Sequence, residues 1–277
     1  MVRRRLYKIS NLLVIGALLL ILFWPALLWL GRQWFSNDYY AHGPLIPLVS
    51  AFLIWRRWGE DNPTRGSTYA GLALLLGGAS ANIWAARLRA PYFSALCVIV
   101  VLSGLVLFLR GPEALRRQAF PLAFLAAAIP FPFVERIGVP LQVMTAYWAA
   151  QLASVAGLPV AQSGAQLSLE GCSLVVGAPC SGLRSLVTFV SLTVLLIYLT
   201  RGAWPAKLAF TALALPIALA ANVLRVTSLL AVAHIWGEAV ALQYYHTAFG
   251  IVFYVFALAL LFALLGVLRC HEIRSDI

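Results

Sequence analysis

The sequence predicts an all-α polytopic membrane protein, with about eight transmembrane helices and a small outward-facing insertion made of an amphipathic helix and a hairpin. Three observations predict it. Of the 277 residues, 62% are hydrophobic and only 10% charged, where an average soluble domain carries about 25% charged residues. The mean hydropathy is +0.91. The apolar residues also gather into runs near the ~20 residues that a helix needs to cross a hydrocarbon core, and short basic loops separate these runs. The net charge of +11 and pI near 10.0 do not point to nucleic acid, because that requires basic residues on one face beside groups that contact or stack on bases. Here they are dispersed.

The first run covers residues 11–31, behind the basic stretch "MVRRRLYKIS". It continues to Leu30 without a small-residue cleavage site, which predicts a retained helix rather than a cleaved signal peptide. Further runs fall at 43–58, 67–86, 91–109, 116–133, 181–200, 205–236 and 246–268. With no repeat, low-complexity tract or second domain, residues 1–277 read as one membrane domain. If the N-terminus lies inside, fourteen of the twenty lysines and arginines, from Arg3 to Arg274, are cytoplasmic. Arg32, Arg87, Arg89 and Arg136 lie outside, and Arg184 and Arg225 fall within runs. Basic loops stay on the cytoplasmic side, so both termini are expected there.

The longest stretch between runs, about residues 134–180, then faces outward. In it Ile137, Leu141, Met144, Trp148, Leu152 and Val155 recur at helical spacing, predicting an interfacial or packed helix. The following "PVAQSGAQLSLEGCSLVVGAP" alternates apolar residues with glycine-containing turns and predicts a hairpin turning at Glu170-Gly171.

Polar groups against a bilayer are costly, so each needs a partner or a task. The four cysteines, Cys97, Cys172, Cys180 and Cys270, lack zinc-site spacing, and no metal or organic cofactor is expected. Cys180 stands at the outer end of the sixth run in "APCSGLRSL", where Ser181-Gly182 opens the helix. A thiol at a helix N-terminus has its anion stabilised by the backbone dipole, which makes it a nucleophile at neutral pH. The spacing equally fits a small buried cysteine or a disulfide to Cys172. Arg184 lies one turn deeper.

In "ANVLRVTSLL" Asn222 and Arg225 share a helix face. Counted from Lys207, Arg225 lies about 27 Å along the helix. There it either faces the bundle, where it can hold an anion or carbonyl oxygen, or snorkels to the outer surface. His246, behind Tyr245 in "LQYYHTAFG", opens the last run, as a surface residue or an acid/base. The topology thus brings Cys180, Arg225 and His246 to one outer layer. A thiolate, an imidazole and a fixed cation are the parts that acyl transfer needs. His42, in "NDYYAHGPLIP", is also outward, as a helix cap, a packed residue or part of a substrate entrance; His234 and His271 have no partner in the sequence.

These residues resemble the exosortase/archaeosortase family of membrane-embedded cysteine proteases and transpeptidases. The likeness rests on "PCSGLRSL" around Cys180, "NVLR" ending at Arg225 and His246 before the last helix, supported by "YYAHGPLIP" and "PLAFLAAAIPFP" in family order. These motifs lie within about residues 39–260. The resemblance implies that Cys180 is the nucleophile, Arg225 the transition-state stabiliser and His246 the acid/base. Histidine at the third position, where the archaeal branch tends to carry arginine, implies a bacterial exosortase of the inner membrane with its active site facing the periplasm.

It further implies that the partners are exported, membrane-anchored proteins ending in a PEP-CTERM-like sorting signal: a short motif such as Pro-Glu-Pro, a transmembrane helix and a basic tail. They would be cleaved through a Cys thioester that water or an acceptor amine resolves, in bacteria that make exopolysaccharide. Arg184 or Arg136 would meet the acidic motif, and Ser181, Asn222, His42 and Tyr245 would complete the substrate contacts. Two readings rival this one. A transporter would use Arg225 and Asn222 to bind an anion at mid-bundle and would survive Cys180→Ala. A non-catalytic subunit of polysaccharide export would need no nucleophile.

Overall fold

The computed structural model describes residues 2–58, 68–169, 172–177, 182–269 and 272–274, with the side chains at 2–13, 68, 244 and 246–248 outside the description. The expected turn at Glu170-Gly171 and His271 lie outside the described residues. The chain is mostly helical (82%) and divides into two compact units, Met1–Pro130 and Phe131–Ile277.

The first unit runs α1 (Val2–Ser36), a 3-10 turn at Asp38–Tyr40, α2 (Leu45–Arg57), α3 (Thr68–Arg87), α4 (Pro91–Arg110) and α5 (Pro112–Phe124), which continues as a 3-10 turn, Leu125–Ala128. Its tightest contact is the α3–α4 hairpin. A Cβ on Gly71 would lie 2.6 Å from the Phe108 backbone nitrogen, and one on Gly104 2.9 Å from that of Leu75. Glycine therefore brings the two backbones together, as in other membrane helix pairs that lack a hydrophobic drive between them. Phe23 of α1 packs on Cys97 and Val101 of α4.

Proline breaks in this unit find donors. Pro121 has no N–H for the carbonyl of Arg117, four residues back, and the Arg57 guanidinium donates to that oxygen at 3.1 Å. Arg57 is thereby buried with a structural task, at 8% exposure. Near Pro25 in α1, Asn82 donates to the carbonyl of Leu22 at 3.1 Å.

The second unit runs α6 (Pro132–Val155), strands β1 (Ala161–Ser163), β2 (Gln166–Leu169) and β3 (Cys172–Val175), α7 (Leu183–Leu199), α8 (Trp204–Trp236), a short turn α9 (Glu238–Val240), a π-helical turn (Ala241–Tyr245) and α10 (His246–Val267). The long α8 is its axis, with α6, α7 and α10 packed around it. The three strands form one antiparallel sheet in the order β1-β2-β3. The predicted hairpin is β2–β3, in which Leu169 pairs with Cys172 across a two-residue connection. β1 is an addition that the alternation missed, since all three of its residues are exposed. Leu167, Leu169 and Leu174 point inward, and Val176 just past β3 joins them, in a core with Ala149 of α6 and Val226 and Leu230 of α8. The sheet therefore seats on the α6–α8 pair.

The helix predicted from Ile137 to Val155 is present as α6, but the face it buries is the small-residue one. Thr145, Ala146, Ala149, Ala150 and Ala153 are buried, while Ile137, Trp148, Leu152 and Val155 are exposed. A bilayer solvates large apolar side chains, so small residues are the ones that let helices approach. At the other end of the unit, the Lys207 ammonium donates to the carbonyls of Ile197 and Thr200, both at 2.8 Å, closing the C-terminus of α7. The tail returns there, with the Arg274 N–H on the Leu199 carbonyl.

A helix overlies each of the eight predicted runs. Among the described residues, five helices can cross a membrane by length and hydropathy, namely α3, α4, α8, the part of α1 from Val14 and the part of α10 from Phe249; a sixth is counted if α5 with its continuation and α6 make one broken span. The remaining two are short. At 1.5 Å per residue the 17 residues of α7 and the 13 of α2 reach about 25 and 20 Å, below the ~30 Å of a hydrocarbon core.

Candidate active site

Helix α8 carries the polar side chains that the apolar pattern leaves unexplained. Asn222 is 4% exposed, and its amide donates to the Thr145 hydroxyl of α6 at 3.3 Å. That bond serves the amide nitrogen between two apolar helices, where an unmet polar group costs several kcal/mol. Gly182, the N-cap of α7, lies against the other side of the same amide. Its φ is +76°, and a Cβ there would fall 2.7 Å from Asn222 Nδ2. Both backbone and space therefore demand glycine at this point. The segment entering α7 is held on α8 at Asn222.

One turn further along α8 is Arg225, at the start of α10. A Cβ on Gly250 would meet its Nη1 at 3.8 Å, an ordinary contact, so the arginine runs close beside the α10 backbone. His246 and Gly250 are four residues apart on that helix and share a face. The π-helical turn before α10 ends in Tyr245, whose ring stacks on Phe249 at 4.1 Å and 15°. Such turns are frequent at functional sites.

Ser185 and Phe189 of α7, Asn222 and Arg225 of α8, and Gly250 and Tyr254 of α10 line one small cavity. Its free space is about 10 Å³, near what one water molecule needs. Phe189 and Tyr254 meet edge to face at 5.7 Å and 88°, which closes the α7–α10 cleft on one side. A guanidinium, an amide and a hydroxyl around space for one oxygen can hold a carbonyl oxygen or the oxyanion that develops from it.

The family model for transmembrane exosortase (Exosortase_EpsH) matches residues 34–263. The chain belongs to the exosortase family. An exosortase is a membrane sorting-related enzyme of the protease/transpeptidase kind, acting on membrane substrates that carry sorting signals. This exosortase is a multi-pass membrane protein. The match extends over parts of both compact units and includes positions 180, 225 and 246. No curated protein and no solved structure matches.

Of the residues singled out in the sequence, Arg225 and Asn222 line the cavity together. Cys180 and Ser181 lie outside the described residues, as does the side chain of His246, whose backbone opens α10. Tyr245 is half-buried and packs on the core around the sheet. Arg184 is exposed on α7 and is not among the cavity residues. His42 belongs to the first unit, half-buried in the turn before α2 and stacked on Tyr40 at 6.2 Å; burial lowers its pKa.

Thr145, Ser185 and Tyr254 were missed because each sits singly in an apolar run. Gly182 was read only as part of the helix opening. Among the described residues Cys172 is a free thiol. Burial pushes its pKa up, and the Glu238 carboxylate adds to this by its charge and by a hydrogen bond. Both effects disfavour its thiolate.

Proposed function

We propose that this exosortase is a cysteine protease/transpeptidase in which Cys180, Arg225 and His246 cleave the C-terminal sorting signal of exported proteins. The observation that carries the reading is the double seating on α8. Gly182, two residues after Cys180, packs on Asn222, and Gly250, one helical turn after His246, packs on Arg225. Two trans peptide units span at most about 7.6 Å between Cα atoms, so the chain can bring Cys180 close to the cavity from the α7 side. His246 approaches along α10.

The Cys180 thiolate would attack the scissile carbonyl, and the oxygen of that carbonyl, now negative, would lie against the Arg225 guanidinium. Collapse breaks the C–N bond, and the leaving amine takes a proton from the His246 imidazolium. The product is a Cys180 thioester. Water or an acceptor amine then attacks it, giving its proton to the neutral imidazole, and the thiolate leaves. The upward shift of the Cys172 pKa, from burial and then Glu238, fits Cys180 better than Cys172 for the nucleophile.

Together with the exosortase resemblance, the positive-inside tally supports a protein of the inner membrane with both termini cytoplasmic and a periplasmic active site, and with eight helical crossings if the short α2 and α7 cross where the bilayer thins. The two compact units would act as one exosortase domain. The substrates would carry PEP-CTERM-like signals in exopolysaccharide-producing cells, with Arg184 or Arg136 meeting the acidic motif and Ser181, His42 and Tyr245 as further contacts.

The test is a reporter ending in the cognate motif, helix and basic tail, followed by electrophoretic mobility and co-purification. Cys180→Ala should abolish processing while the full-length reporter still associates. Undiminished processing by Cys180→Ala overturns the protease reading in favour of a transporter.

A further inference from the structure

In the first unit, a groove of about 310 Å³ lies where α1 meets the α3–α4 turn, walled by Pro25, Ala26, Ala85 and Ala86 and carrying Arg89 and Ser94. The turn ends α3 by a double bond back onto the helix, with the Arg89 N–H on the Ala86 carbonyl at 3.2 Å and the Ala90 N–H on that of Ala85 at 3.0 Å. This arrangement places its penultimate residue in the left-handed region, where glycine is the unstrained choice. Here that residue is Arg89, at φ +52°. Arg89 takes that conformation at a steric cost, as Arg269 does at φ +53° after α10, and its place on the groove points to what its side chain does there.

Three further observations say what that is. Ser94 in the first turn of α4 is 6% exposed, faces the groove and makes no hydrogen bond from its hydroxyl to a described residue. The 20-residue α4 begins at Pro91, so its first backbone N–H groups and positive dipole end lie at the groove. No carboxylate occurs between residues 62 and 112, so nothing acidic in these helices competes for Arg89. The turn joins two helices that can each span a membrane, which sets Arg89 and the start of α4 at the depth of lipid headgroups, while Pro25 and Ala26 lie within the spanning part of α1. The remaining walls are apolar.

We propose that this groove is a binding site for a membrane phospholipid. Arg89, the Ser94 hydroxyl and the start of α4 hold the phosphate oxygens, and the proline and alanine walls take the upper part of one acyl chain. The site belongs to the first unit alone and stands apart from the proposed chemistry at Arg225.

Arg89→Gly separates a ligand role from a structural one. The full chain is purified, delipidated in detergent and titrated with phosphatidylglycerol in mixed micelles, with thermal unfolding and native mass spectrometry as readouts. Glycine relieves the left-handed strain, so the lipid-free variant should melt on the order of 2–4 °C higher than wild type. It should also retain phosphatidylglycerol about tenfold less well, the loss expected for one charge-assisted contact. Ser94→Ala should weaken retention by a smaller factor, and Ala86→Phe, which fills the groove, should lower it with Arg89 intact. Wild-type retention by Arg89→Gly overturns the proposal. So does a lower melting temperature of that variant without lipid, which makes Arg89 structural. An equal thermal shift from inorganic phosphate alone overturns the lipid assignment in favour of a free anion.

Discussion

The α3–α4 hairpin of the first unit and the α7–α8 junction in the second both depend on glycine, for opposite reasons. At Gly71 and Gly104 the atoms that exclude a side chain are the backbone nitrogens of the facing helix. Glycine there lets two apolar helices touch, and nothing polar is enclosed. At Gly182 the excluded space is filled by the Asn222 amide, and at Gly250 the neighbour is the Arg225 guanidinium. Glycine at 182 makes room for a polar side chain that a bilayer penalises, whereas a Cβ at 250 would only touch the guanidinium at an ordinary 3.8 Å. The contrast shows how to separate packing from function in an apolar chain: what occupies the space that a missing Cβ leaves is the informative feature.

The largest effect that would sharpen this contrast is at the polar site. Arg225→Lys keeps the charge but loses the planar fork, and processing of the reporter should fall by about 100-fold or more with expression and melting temperature near wild type. A rate within a few-fold of wild type would remove Arg225 from the reaction.

Gly182→Ala comes next. It forces a Cβ into both a left-handed backbone and the Asn222 amide, which should lower processing by about tenfold from the strain alone. In an Asn222→Ala background the second penalty disappears. The two substitutions should therefore be non-additive in a double-mutant cycle read on melting temperature, and strict additivity would break the Gly182–Asn222 contact.

At the α3–α4 hairpin, Gly104→Val should destabilise by about 1–3 kcal/mol through overpacking, seen as a lower melting temperature. Processing per folded molecule should be unchanged, and a selective loss of activity would erase the distinction between the two glycine classes. The smallest effect concerns Cys172. Because Glu238 raises the pKa of this thiol, less thiolate exists at a given pH, and Glu238→Gln should speed maleimide labelling at pH 8 by a factor of roughly two to five. The difference should shrink as the pH rises past that of the thiol itself.

Much of this was legible in the chain. The apolar runs mark the helices because hydrocarbon-core thickness sets their length, and helices overlie all of the predicted runs. The β2–β3 hairpin was visible in the alternation through Leu167, Leu169 and Leu174. Asn222 and Arg225 stood out because a bilayer makes polar residues conspicuous. The burial of α6 was not legible, since periodicity shows that two faces differ but not which one meets lipid. Ile137 and Trp148 look like a core stripe in water and become the solvated face in a bilayer.

That the chain is a polytopic membrane protein, where its helices fall and which residues carry polar chemistry all depend on local composition and on distances along the chain, so they are readable without the fold. Folding decides that the Thr145 hydroxyl accepts from the Asn222 amide, that Arg57 serves the carbonyl freed by Pro121, and that Gly182 clears space beside Asn222 while Gly250 lies next to Arg225. Each of these pairs residues far apart in the chain, and a buried polar group takes whichever partner packing brings within about 3 Å. Helical spacing cannot name that partner.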